Sequence, residues 1–168
     1  MRSRGWRGGR RCRAGAAKLA SSPRRLTPMA DPNACVFCQI IAGRLPARTV
    51  YEDADHVAFL PLEHINPGHL VLIPKRHTDY LFDLDAVAYQ ALWATTARIA
   101  APLRDVMSAK RVGVAVEGFS VPHVHVHIVP LYAFDDLNPS RARALEPAEA
   151  DRLHALIRGA LAGAADTG

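Results

Sequence analysis

Val121-Pro122-His123-Val124-His125-Val126-His127-Ile128-Val129-Pro130 is the stretch on which the reading of this chain turns. Read as a strand over 121–130, it places His123, His125 and His127 on one face and Val124, Val126 and Ile128 on the other. Strand rise separates neighbouring imidazoles by roughly 6.5–7 Å and the outer pair by roughly 13 Å. That spacing suits a substrate laid along the strand and touching successive rings, and it suits one metal ion held by all three poorly. Imidazole titrates near neutrality, so such a row can attack, donate protons and stabilise anions without elaborate tuning. A metal-binding histidine cluster or a strand rich in histidine by chance is the alternative. Strict alternation with β-branched partners, followed by Val-Pro, makes the first reading the more specific one.

Outward from this strand the chain reads as short apolar runs and turns. Residues 49–52 and 56–60 form two strands joined by the acidic turn Asp53-Ala54-Asp55. Asn66-Pro67-Gly68 is a turn, and His69-Leu70-Val71-Leu72-Ile73-Pro74 a third, buried strand. Residues 86–108 read as a helix. Asp85 is placed to cap it, and Leu92, Thr96, Ile99, Leu103 and Met107 fall on one stripe. Pro102 inside that pattern removes a backbone donor and predicts a kink or register change. A strand follows at 111–116. Beyond the histidine strand come a loop with Pro139 and an amphipathic helix starting near Pro147, with Leu153, Leu156, Ile157 and Leu161 on its apolar face. No internal repeat is visible. Strands gathered around one long helix predict an α+β domain with a mainly antiparallel sheet and a C-terminal amphipathic helix. The domain is placed at 33–134, with 135–168 as a loop and helix packing on it.

Composition bounds the function. The chain of 168 residues is 49% apolar and carries a net charge of +5. No run of 18 apolar residues suggests a membrane span. The charge invites a nucleic-acid partner, but its distribution argues against one for the domain. Nine Lys/Arg and no acid lie in 1–28, which leaves 12 basic and 16 acidic residues, a net of −4, for 29–168. The 1–28 stretch is read as a disordered basic extension. Its Arg-rich, acid-free composition also fits an organellar transit peptide or an arm touching nucleic acid or acidic lipid, and Met29 offers an internal start. No apolar h-region points to secretion. Of the three cysteines, Cys12 is in that extension and Cys35 with Cys38 makes one C-x-x-C. Two cysteines are too few for a disulfide framework, so a reducing cytoplasm is expected.

His-Val-His-Val-His-Ile-Val matches the signature of the histidine triad family, three histidines alternating with apolar residues. Cys35-Val36-Phe37-Cys38-Gln39-Ile40-Ile41-Ala42-Gly43, with Pro46 and Val50-Tyr51-Glu52-Asp53, resembles the family's opening. Pro67-Gly68-His69-Leu70-Val71-Leu72-Ile73-Pro74-Lys75-Arg76-His77 resembles its central strand. The resemblance runs over 35–134. It implies a hydrolase or transferase acting on nucleoside phosphoramidates or dinucleoside polyphosphates, and a homodimer paired through the long helix and a sheet edge. Leu92, Trp93 and Leu103 give the long helix the extra apolar surface such pairing needs. By the same resemblance His125 attacks the α-phosphorus to form a nucleotidyl-histidine that water resolves. His127 and His69 flank the phosphate and leaving group, and Ser120 hydrogen-bonds one of them. A neutral His125 needs its second nitrogen oriented, a task for a backbone carbonyl.

Cys35 and Cys38 by spacing alone fit either metal or redox chemistry, although no thioredoxin-like pattern surrounds them. The resemblance completes a ligand set with His77 and His123, a closed Cys2His2 group suited to structural zinc. His123 is then a ligand and neither acid nor base. The short apolar run 35–41 reads as a helical turn or the lip of a site.

The chain departs from the family around the substrate. Where Phe-x-Asp binds ribose hydroxyls, it has Phe59-Leu60-Pro61, leaving Glu63 or His64 to take that part. Phe119 stands where a phosphate-binding Gln is common, in a short loop over 114–120. Phe59, Glu63, His64 and Phe119 are therefore the expected substrate contacts. A non-catalytic nucleotide-binding module of the same fold is the competing reading, and metal storage on the histidine strand a third. His56 and His154 read as solvated.

Overall fold

The computed structural model describes residues 34–165. The 1–28 stretch, Cys12 and Met29 lie outside the described residues. In chain order come α1 (Val36–Ile41), β1 (Arg48–Glu52), β2 (His56–Leu60), β3 (Glu63–His64), β4 (Leu70–Pro74), α2 (Ala86–Val106), β5 (Arg111–Ala115), β6 (Val126–Leu131), β7 (Arg143–Ala144) and α3 (Pro147–Ala165). Five strands form one antiparallel sheet in the order β1-β2-β4-β6-β5, and β3 pairs separately with β7. The fold is α+β, as the pattern of the chain implies.

The histidine strand is shorter than 121–130. Pro122 has no N–H to offer a ladder, and the His123 N–H turns back to the Val121 carbonyl at 2.8 Å. Regular pairing starts only at Val126, preceded by a single bond from the Val124 N–H to the Thr78 carbonyl at 2.7 Å. At the other end of β4's approach, Gly68 sits at φ +84°. A side chain there is strained, and its Cβ would press on the Met107 side chain at 2.9 Å.

Period-2 alternation divides the sheet into two unlike faces. Ala58, Leu60, Leu70, Leu72, Val126 and Ile128 point into one core with α2 and α3. Val57, Phe59, Val71 and Ile73 point the other way, where, among the described residues, Phe37, Ile40 and Ile41 of α1 pack on them. His127 pairs with Val71 on that second face, so the histidines lie beside α1 and away from the long helix.

The long helix follows its sequence signals. Asp85 accepts from the Ala88 N–H at 2.8 Å as an N-cap, and Leu92, Thr95, Thr96, Ile99 and Leu103 form the buried stripe. Each fully buried apolar side chain contributes about 1.5–3 kcal/mol. The helix continues through Pro102 to Val106. Asp85→Ala is expected to lower stability by about 1 kcal/mol in urea unfolding, with Asp85→Asn close to native.

Four expectations are corrected here. Leu92 and Leu103 are completely buried within the chain's own core, with Trp93 packed on it, so they supply no free surface for a second copy. His56 is buried, not solvated: it faces α2, and its Nδ1 lies 3.2 Å from the Asp53 carboxylate and 3.4 Å from the Thr95 hydroxyl. His154 donates through Nε2 to the Thr49 carbonyl at 2.8 Å, tying α3 to β1. Along α3, Leu153, Ile157 and Leu161 are buried while Leu156 falls outside the stripe.

Candidate active site

The three histidines take three different hydrogen-bonding roles. The His123 Nε2 donates to the Pro74 carbonyl at 2.9 Å, which leaves its Nδ1 lone pair facing Cys35 and Cys38. The His125 Nδ1 donates to the His123 carbonyl at 2.7 Å. A carbonyl only accepts, so the hydrogen of neutral His125 is on Nδ1 and its Nε2 carries the lone pair. The third histidine is set by a relay. The Ile65 N–H donates to the His69 Nδ1 at 3.2 Å, so His69 carries its hydrogen on Nε2. That Nε2 lies 3.0 Å from the His127 Nδ1, which accepts, leaving His127 with an N–H at its own Nε2. Adjacent rings, with centroids 5.1 Å apart, thus present a lone pair at His125 and a donor at His127.

Electrostatics keeps the relay neutral. Burial, then the neighbouring His127 and His64, pushes His69 down to about 3. Burial, then His125, lowers His127, with Glu117 opposing. The ordinary histidine value is 6.5. Between that and about 3 the unfolded chain binds a proton at His69 and the folded chain does not. The stabilising effect is complete above 6.5 and is lost as pH falls. Stability measured by urea unfolding is expected to drop below pH 6 by up to about 1.4 kcal/mol per pH unit for this group. His69→Asn should flatten the profile; an unchanged slope counts against the assignment.

A pocket of about 260 Å³ opens on His125, lined in part by Tyr80, Phe82, Val116, Glu117 and Phe119. From the other side Phe37 of α1 packs edge-on to the His125 ring, 5.3 Å between centroids. Of the expected substrate contacts, Phe119 is at the pocket, 94% exposed. Phe59 is buried behind Phe37, with ring centroids 5.8 Å apart. His64 is buried edge-on to His69 at 6.2 Å with its Nδ1 unpartnered, and Glu63 is exposed beside it on β3. Ser120 is exposed in the bend before His123. Tyr80, Phe82, Glu117 and the ring of Phe37 escape sequence reasoning. They lie in irregular segments or on a helix of six residues, where no periodicity marks them.

Cys35, Cys38, His77 and His123 converge, with one ligand atom from each lying within 4.8 Å of every other. The Cys35 Sγ is 3.4 Å and the Cys38 Sγ 3.6 Å from the His123 Nδ1, and the Cys38 Sγ is 3.2 Å from the His77 Nδ1. Tetrahedral zinc with ordinary bond lengths requires sulfur–nitrogen separations of roughly 3.5–3.6 Å, so the four residues fit such an ion. The carbonyl bond at His123 Nε2 is the outer-shell partner that orients a ligating imidazole. Burial, then the adjoining Cys35, pushes the Cys38 thiol up to about 11. A thiol so placed has no reason to ionise unless a cation replaces its proton. α1 and the segments holding His77 and His123 meet at this cluster.

An antiparallel α+β sheet presenting alternating imidazoles beside a Cys2His2 cluster is, by class, a histidine triad protein. Residues 42–134 match the model of the HIT domain, and the chain belongs to that family. It is 35% identical over 116 residues to an uncharacterized HIT-like protein of Mycobacterium tuberculosis, covering 66% of this chain and 81% of that one. It is 36% identical over 110 residues to the protein hit of Bacillus subtilis, covering 61% and 74%. A solved Zn-bound histidine triad family protein from Mycobacterium smegmatis superposes with a TM-score of 0.71 at 29% identity, covering 82% of this chain and 100% of the other. Cys35 and Cys38 precede the matched span. Among the described residues no helix is long and apolar enough to cross a membrane.

Proposed function

We propose that the protein is a hydrolase or transferase acting at the phosphorus of a nucleotide-type substrate, a phosphoramidate or a dinucleoside polyphosphate. The observation that carries this reading is the 2.7 Å bond from His125 Nδ1 to the His123 carbonyl, which leaves the Nε2 lone pair beside the pocket. In the first step Nε2 bonds to phosphorus while the bond to the leaving atom breaks. That atom keeps the electron pair and takes up one proton at the solvent-open mouth. Water or another acceptor then adds to phosphorus, the N–P bond breaks back to His125, and one proton is released.

His127 acts through its Nε2–H as a donor to a phosphoryl oxygen, with His69 holding its tautomer. Ser120 offers a hydroxyl to the leaving group. Glu63, His64, Phe59 and Phe119 shape the substrate side. Cys35, Cys38, His77 and His123 hold zinc in a structural role, fastening α1 to the sheet so that Phe37 backs the nucleophile. The protein is cytoplasmic and works as a homodimer with β5, an open sheet edge, at the pairing surface; a light-scattering mass near one chain would count against the dimer.

The test is to quench a reaction with adenosine 5′-phosphoramidate and map the modified peptide by mass spectrometry. A nucleotidyl group on His125 is expected. Ligand binding without any adduct would favour a non-catalytic module instead. His127→Ala is expected to lower kcat by about 10²–10⁴-fold, and His127→Asn, which keeps an N–H, to recover part of it.

A further inference from the structure

The pocket beside His125 has an unusual lining for a site that handles phosphates. Asp79 and Glu117 both line it, together with the rings of Tyr80, Phe82 and Phe119, and no lysine or arginine does. Neither carboxylate forms an ion pair among the described residues. The rings are 54%, 65% and 94% exposed, a cluster of apolar surface at the mouth of a reactive centre. Tyr80 and Phe82 stand 5.3 Å apart and tilted by 68°, two walls of one opening. Aromatic faces attract cations through their quadrupole, and carboxylates add charge of the same sign. A polyphosphate would meet two carboxylates and no counter-charge.

We propose that this pocket receives the leaving group, and that the leaving group is an amine carrying a further positive charge. The substrate is then a nucleotide phosphoramidate whose amine bears an ammonium, in preference to a dinucleoside polyphosphate. The inference rests on His125 as the nucleophile. As the Nε2–P bond forms, the P–N bond to the amine breaks, and the amine nitrogen keeps the pair and gains one proton from water. The remote ammonium stays charged between Glu117 and the rings throughout.

The experiment compares three adenosine 5′-phosphoramidates on the full chain. Their amine chains are of equal length and end in trimethylammonium, tert-butyl or carboxylate. Sharing one nucleotide cancels base preference. The cationic substrate is expected to exceed the neutral one in kcat/KM by on the order of tenfold at low salt, with the carboxylate slowest. The preference should shrink as salt screens it. In the double variant Asp79→Asn, Glu117→Gln the cation-to-neutral ratio should fall toward one. Equal kcat/KM for the three, or preference for the carboxylate, overturns the pocket assignment while an adduct on His125 leaves the chemistry standing. Absence of a His125 adduct with every substrate overturns both.

Discussion

His125→Ala is expected to lower kcat/KM on a nucleotide phosphoramidate by at least about 10⁵-fold, the scale seen when a covalent nucleophile is removed. Binding of the nucleotide should change little, because the other groups around the phosphate remain. The size of the effect follows from the tautomers. His127 is the nearest ring, but its Nε2 carries the hydrogen and its Nδ1 is engaged by His69 at 3.0 Å, so it has no free lone pair to substitute. His69 is buried and bonded at both nitrogens. No other imidazole in the row is free, since His123 faces the cysteines. Single-turnover kinetics with calorimetric binding separates the two quantities. Activity in His125→Ala within tenfold of native would place the nucleophile elsewhere.

Loss of the Cys2His2 ion is expected to have the second largest effect, and on stability first. Structural zinc sites bind with apparent free energies of about 10–16 kcal/mol in peptides that fold only with the metal. Here the sheet and two long helices have their own core, so the fold should survive at reduced stability. His77→Ala removes a ligand that lies outside the triad. It is expected to abolish stoichiometric zinc and lower Tm by roughly 10–15 °C, which corresponds to about 4 kcal/mol for a chain of this size. Chelator treatment of the native protein should reproduce the shift and re-addition of zinc reverse it. Activity should fall as a consequence, because α1 carries Phe37 against His125. Elemental analysis showing no metal, with Tm indifferent to chelator, would remove zinc from the account.

The alternation of His123, His125 and His127 with apolar residues, the C-x-x-C at Cys35 and Cys38, and the stripe of α2 are local patterns. Each follows from strand or helix periodicity, so each is legible before any fold is known. The same patterns were silent where backbone chemistry or distant contacts intervened. The strand starts at Val126, five residues later than the apolar run suggests, because Pro122 has no N–H to offer a ladder. Leu92 and Leu103 fill the chain's own core, not a partner's, because α3 and the sheet close over them. His56 is paired with Asp53 and Thr95 across a turn and a helix.

By itself the sequence determined the family and, through that resemblance, the candidate reactive histidines and the four candidate metal ligands, because the alternating histidines and the C-x-x-C are residue types at fixed short spacing. Only the tertiary structure decided which nitrogen of each ring is free. That choice is made by the Pro74 and His123 carbonyls, the Ile65 N–H and the His69 ring. It also decided that Asp79, Tyr80, Phe82, Glu117 and Phe119 share a pocket, for they come from two loops about 40 residues apart in the chain. A hydrogen bond between groups far apart in sequence leaves no periodic trace. The direction of a lone pair exists only once the chain has folded around it.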